Sequence, residues 1–156
     1  MRCRRGFTLV ELITVVFVLS ILATMGLLKY IDLRNNARAA QVAEELHAIQ
    51  IAAFSYYSDN EQWPPEAGAG AVPNGLSPLL PGQLALSFDR GEYLLDWDNF
   101  GSGGGLLGGG TGVIAISVTT TDPKLLAKLA QYLSGGPFFV AGGKLTYLIA
   151  GPGGAF

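Results

Sequence analysis

The distribution of apolar residues along the chain divides it into three stretches with different periods. From Phe7 to Leu28 run 22 residues in which Glu11 is the only charge. A helix of that length rises about 33 Å, enough to cross a hydrocarbon layer of about 30 Å, so the stretch predicts a membrane span. From Lys29 to Ser58 there is neither Pro nor Gly, and Leu33, Ala37, Ala40, Ala43, Leu46, Ile49, Ala53 and Tyr57 recur at helical spacing. Span and continuation therefore predict one stem helix of about 52 residues, roughly 78 Å long. Arg34, Arg38, Gln41, Glu45 and Gln50 fall largely on its other faces. Gly26 is the one weak point in the helical pattern.

The pattern breaks after Trp63, beyond which lie all 8 prolines and 20 of the 22 glycines. Short β-rich runs at Glu92–Trp97, Val113–Thr120, Pro137–Ala141 and Lys144–Ala150 predict strands, the last two joined through Gly142-Gly143 as a tight hairpin. A short helix is expected between the second and third runs. Asp122 is its N-cap, Pro123 lies in its first turn, Leu125, Leu126, Leu129 and Leu133 form its apolar face, and Gly135-Gly136 end it. The fold class is α+β: a long N-terminal helical stem, transmembrane in its first half, carrying a small antiparallel sheet laid against its outer half. The expected divisions are a leader at 1–6, the membrane half of the stem at 7–28, its outer half at 29–58 and a loop-rich head at 59–156.

Charge adds an orientation. Arg2, Arg4 and Arg5 precede the span, which by the positive-inside rule holds the N-terminus in the cytoplasm and sends the remainder outward. No Ala-x-Ala-like cleavage site follows the apolar run, so the run is expected to stay with the mature chain. Glu11 is the residue that a plain anchor leaves unexplained. A carboxylate among lipid-facing residues costs a few kcal/mol, so it marks either a function with a partner or a side chain that snorkels to the interface.

Overall composition narrows the classes further. With 156 residues and 49% apolar content there is room for one modest domain, and disorder is excluded. Charged residues make up only 14% of the chain, which suggests that some apolar surface is intended for lipid or a partner. A net charge of −2 provides no footprint for nucleic acid, and residues 59–156 hold only Arg90, Lys124, Lys128 and Lys144 as cations. The single cysteine, Cys3, rules out a disulfide framework, and the single histidine, His47, has no nucleophile supplied to it by sequence.

The run Arg4-Arg5-Gly6-Phe7-Thr8-Leu9-Val10-Glu11-Leu12 resembles the prepilin processing motif of type IV pilins and of the pseudopilins of type II secretion. The resemblance implies that a membrane-embedded prepilin peptidase cuts between Gly6 and Phe7 and that the new amino group of Phe7 is N-methylated. Glu11 then becomes the fifth mature residue, one turn from that amino group. When stems pack side by side with an axial offset, the Glu11 carboxylate meets the Phe7 ammonium of a neighbouring copy, a pairing that acts mainly as a register device. Losing the leader arginines takes the net charge to −5, with seven basic against twelve acidic side chains. The implied partners are homologous subunits, the peptidase, an inner-membrane assembly platform and the lipid bilayer, with an extracytoplasmic head and no enzymatic activity.

Within the family, Tyr56-Tyr57-Ser58-Asp59-Asn60-Glu61-Gln62-Trp63-Pro64-Pro65 resembles the stem exit of pseudopilins, and no C-terminal cysteine pair of the pilin kind is present. A type II secretion pseudopilin is the first reading and a pilin for adhesion, motility or DNA uptake the second. A monomeric signal-anchored enzyme or binding module is a third class. Major pseudopilins also imply calcium in the head, for which Asp96, Asp98 and Asn99 are the candidate ligands, with Asp89 and Glu92 nearby. Phe100 breaks the oxygen-ligand spacing there, and the Asp-Pro-Trp-Gly run of major pseudopilins is missing, so solvated turn carboxylates are the competing reading. Gly103-Gly104-Gly105-Leu106-Leu107-Gly108 matches G-x-G-x-x-G but precedes a strand rather than a helix, so a loop is expected there, not a dinucleotide site. Trp63, Trp97 and the pair Phe138-Phe139 are expected to pack in the core or between stem and head.

Overall fold

The computed structural model describes residues 7–100, 112–151 and 154–155. The leader residues Arg2, Cys3, Arg4, Arg5 and Gly6, and most of the glycine-rich run with its G-x-G-x-x-G match, lie outside the described residues. Helix α1 runs unbroken through Gly26 over Leu9–Asn60, 52 residues in all. Its C-cap, Glu61, takes a left-handed conformation (φ 57°) and donates its N–H to the Tyr57 carbonyl, which stops the helix just ahead of Trp63-Pro64-Pro65.

The head is an antiparallel sheet in the order β1-β2-β4-β3, from Tyr93–Asn99, Ile114–Thr120, Lys144–Gly151 and Phe138–Ala141, with the two-residue β5 (Gly154–Ala155) pairing the end of β4. Helix α2, Pro123–Tyr132, connects β2 to β3 and packs on α1. Asp122 caps α2 by accepting the Lys124 N–H at 2.9 Å. The β3–β4 hairpin turns on Gly142 and Gly143, whose positive φ values of 57° and 83° suit the right-handed twist of the paired strands and would strain any residue with a Cβ.

The stem enters the core through Ala39, Val42, Leu46, Ile49, Ala52 and Ala53. Opposite it lie Leu95 and Trp97 of β1, Ile116 and Val118 of β2, Leu145 and Ile149 of β4, and Leu125 and Leu129 of α2. The stripe is shifted from the expected one in its lower half. Ala39 and Val42 are buried where Ala40 and Ala43 were expected to lead, and Leu33, Ala37 and Tyr57 are exposed. The reason is that the head covers the stem only from Asn35 upward, and Val42 presents more apolar area to the head than Ala43.

Two polar stem positions expected on outer faces instead bind the head. Arg38 pairs with Glu92 at 2.5 Å, and Glu45 pairs with Arg90 at 2.9 Å while accepting the Tyr93 hydroxyl at 2.8 Å. Burial and the Glu45 carboxylate together push the Tyr93 phenol well above its ordinary pKa. Trp97 is fully buried and its Nε1–H donates to the Pro64 carbonyl at 3.1 Å, while Trp63 stacks on Tyr57 with ring centres 4.5 Å apart. Phe138 packs against the core, but Phe139, the next residue along β3, points to the opposite face of the sheet and is 53% exposed. His47 lies on the exposed side of the stem.

Two substitutions check this packing. Leu46→Ala should destabilise the head by about 2–5 kcal/mol, because Leu46 is fully buried at the stem–sheet seam. Gly75→Ala should also destabilise it: φ is +87° there, and a Cβ would lie 2.5 Å from Tyr56 Cε2. Thermal unfolding of the detergent-solubilised chain reads both, and a midpoint unchanged in either variant would contradict the corresponding contact.

Candidate assembly site and acidic face

At the N-terminal end of α1 every described side chain up to Arg34 is exposed, and the apolar part of the helix has a mean hydropathy of 2.3 over its best 18-residue window. No described residue of the head covers it. Such a surface is stable in lipid or against other helices, and the helix satisfies its own backbone hydrogen bonds in either setting. Thr14, Ser20 and Thr24 hide their hydroxyls in the same way, each donating to the carbonyl four residues earlier at 2.7–2.9 Å. Phe7 stands at the tip, 70% exposed.

Glu11 has a local partner that the sequence reading overlooked. Thr8 is the N-cap of α1, and its Oγ1 accepts the Glu11 N–H at 3.3 Å. The Glu11 Oε2 in return accepts the Thr8 N–H and Oγ1–H, each at 3.4 Å. This is a capping box, and Thr8-x-x-Glu11 is its sequence signature. The carboxylate thus sits at the positive end of the helix dipole and satisfies N-terminal donors that lipid would leave bare. Both bonds fall on Oε2, so among the described residues Oε1 keeps its acceptor capacity toward a cation.

The second cluster lies on the outer face of the sheet. Asp96 and Asp98 alternate with Trp97 along β1 and so face away from the stem. Glu66, from the segment after the stem, joins them, and one carboxylate oxygen from each lies within 4.8 Å of the others. The Lys144 Nζ reaches Asp96 at 3.4 Å and Asp98 at 3.5 Å, and the Ser117 hydroxyl donates to Asp98. The third member expected here was Asn99. Its side chain instead donates to the Pro64 carbonyl at 2.7 Å, and its N–H donates to Glu66 at 2.5 Å.

Asp89 accepts the Gly91 N–H in the turn before β1, and Glu92 is taken up by Arg38. Calcium takes six to eight oxygens. Here the three carboxylates, with one oxygen each, offer fewer oxygens than that from side chains alone, and the Lys144 ammonium lies within ion-pair distance of two of them. Burial raises the Asp96 carboxyl above its ordinary range, and the Asp98 charge adds to this against the pull of Lys144; Glu66 is raised as well, first by partial burial.

The architecture is α+β: a compact sheet head on a stem whose first half is long and apolar enough to cross a membrane. The family described as "Prokaryotic N-terminal methylation motif" matches residues 1–27. A curated relative, the fimbrial protein EcpC of Eikenella corrodens, is 33% identical over 75 residues, covering 46% of this chain and 49% of the relative. The chain thus aligns with about half the length of that relative. No solved structure matches. The chain is thus similar to proteins with that N-terminal motif over its first 27 residues, and to the fimbrial protein over about half its length.

The raised Asp96 carboxyl has a definite sign. A carboxyl that holds its proton more tightly when folded favours the folded state at low pH, and that contribution is lost as pH rises through its raised pKa. Asp96→Asn should therefore gain stability relative to the natural chain as pH rises from the ordinary carboxylate range toward neutrality. Thermal midpoints of both proteins across that range test this, and a difference that is flat or shrinks with pH would contradict it.

Proposed function

We propose that this chain is a structural, non-catalytic subunit of a type IV pilus-like fibre, cut by a prepilin peptidase between Gly6 and Phe7, N-methylated on Phe7 and assembled through α1. In the bilayer the leader arginines Arg2, Arg4 and Arg5 face the cytoplasm and the head is extracytoplasmic. Cleavage removes that cationic anchor and creates the Phe7 ammonium. The neighbouring subunit's Glu11 receives it inside a bundle of apolar stems. The observation that carries this reading is one carboxylate, four residues after the motif's cleavage position, on a stem otherwise uncharged and uncovered up to Leu28.

Homologous subunits, the peptidase and an inner-membrane assembly platform are the partners of this function, which needs no cofactor. A type II secretion pseudopilus is the first choice of fibre, supported by the stem exit around Tyr56, Trp63 and Pro64 and by the lack of a cysteine pair. A pilus for adhesion, motility or DNA uptake is the second, favoured by the fimbrial name of the relative.

Two measurements test the reading. Co-expression with a prepilin peptidase should yield a mature chain that begins at Phe7 and carries one added methyl group; a chain still beginning at Met1 would overturn it. Glu11→Gln separates charge pairing from helix capping, since Gln also completes a capping box. Helix content should stay unchanged in Glu11→Gln while fibre yield falls at least tenfold, as in Glu11→Ala. Normal fibres from Glu11→Gln would show that the carboxylate serves only as a cap.

A further inference from the structure

We propose that the concavity between α1 and α2, at the membrane-side rim of the head, holds the phosphate headgroup of an anionic phospholipid. The proposal rests on reading the first half of α1 as a membrane span. The concavity has a volume of about 360 Å³ and is lined by Asn36, Lys128, Gln131 and Tyr132. Every one of these side chains carries a hydrogen-bond donor: an ammonium, two amides and a phenol. Among the described residues none of the four has a side-chain hydrogen bond or ion pair, so the donors are uncommitted. Among the described residues no carboxylate lines the site. Phosphate oxygens match this donor set, and a choline headgroup would bring a second ammonium up to Lys128.

Position selects lipid over other sources of phosphate. Up to Arg34 the stem is exposed, so among the described residues the meeting of Asn36 with α2 lies at the membrane-side end of the head. Asn36 lies eight residues beyond Leu28, the last residue of the apolar run, which is about 12 Å along the helix. The headgroup layer of one leaflet occupies roughly 5–8 Å above the hydrocarbon, within reach of a lysine side chain extending downward. Lys29 stands two turns below Asn36 and within about 20° of it around the stem. Lys124 precedes Lys128 by one turn of α2, and neither Lys29 nor Lys124 makes an ion pair among the described residues. Facing these cations are Asp32, one turn below Asn36, and Asp122, which already caps α2. Tyr132, 53% exposed, is the residue type that favours a membrane interface.

The test uses the full chain reconstituted in phosphatidylcholine nanodiscs doped with spin-labelled phosphatidylglycerol or spin-labelled phosphatidylcholine. The natural chain should prefer phosphatidylglycerol severalfold, and the preference should weaken at about 1 M salt, where the screening length drops to about 3 Å. Leader arginines contribute equally to every variant, so the decisive reading is the difference between variants. Lys124→Gln/Lys128→Gln should lower the preference roughly fivefold per cation removed, and Lys29→Gln should lower it independently. All three positions are at least partly exposed, and circular dichroism checks that the fold is kept.

An undiminished preference in both variants would overturn the proposal. So would altered self-association in pure phosphatidylcholine without a change in lipid preference, which would assign the concavity to a second copy. Failure of α1 to insert across the bilayer would overturn the membrane reading along with it, and is distinguishable because no transbilayer helix would form.

Discussion

One continuous helix must be stable in two surroundings, and most of the structure follows from how α1 meets that requirement. Up to Leu28 its side chains are almost wholly apolar and uncovered, so they depend on a hydrocarbon environment or on other helices. Above that level the same helix gives its inner stripe to a domain core, where Ala39, Val42, Leu46, Ile49 and Ala53 replace contact with water by contact with the sheet. A helix suits both tasks because its backbone hydrogen bonds close within the segment. The head can then be small: the stem contributes six buried residues to a core that also holds the fully buried Trp97 and Phe88.

Much of this was legible in the sequence, for reasons that differ by element. The stem is written in the absence of Pro and Gly between Lys29 and Ser58, a signal that no tertiary contact can alter. Strands β1 to β4 and helix α2 were visible because each is short, rich in apolar residues and bounded by turn or capping residues; Asp122-Pro123 marks the start of α2 as plainly as Gly142-Gly143 marks the last hairpin. The exact stripe on the stem was not legible. Its choice depends on where the head lies, which also explains why Arg38 and Glu45 turned out to be seam residues.

Of the two candidate sites, the N-terminal one had a local signature. Thr8-x-x-Glu11 spells a capping box four residues long, so the simplest partner of Glu11 stands one turn before it. That partner changes the energetics of the lone subunit: a carboxylate closing the end of its own helix is less exposed to the penalty of lipid than a free one. The acidic face had no such signature. Glu66 reaches Asp96 and Asp98 from 30 residues away in sequence, and only the fold of the segment after Trp63 brings it there. Asn99, adjacent in sequence, is drawn off by the Pro64 carbonyl.

The seam between stem and head is fastened at two separated heights. Glu92 grips Arg38, and Arg90 and Tyr93 grip Glu45 about 10 Å further along the stem. A pull along the long axis of the stem would therefore load both fastenings, and the apolar stripe between them, in shear. Rungs loaded side by side must yield together, whereas a single fastening would let the two parts peel from one end. Mechanical strength parallel to the helix thus follows from spacing the grips along the stem, whatever the strength of any one of them.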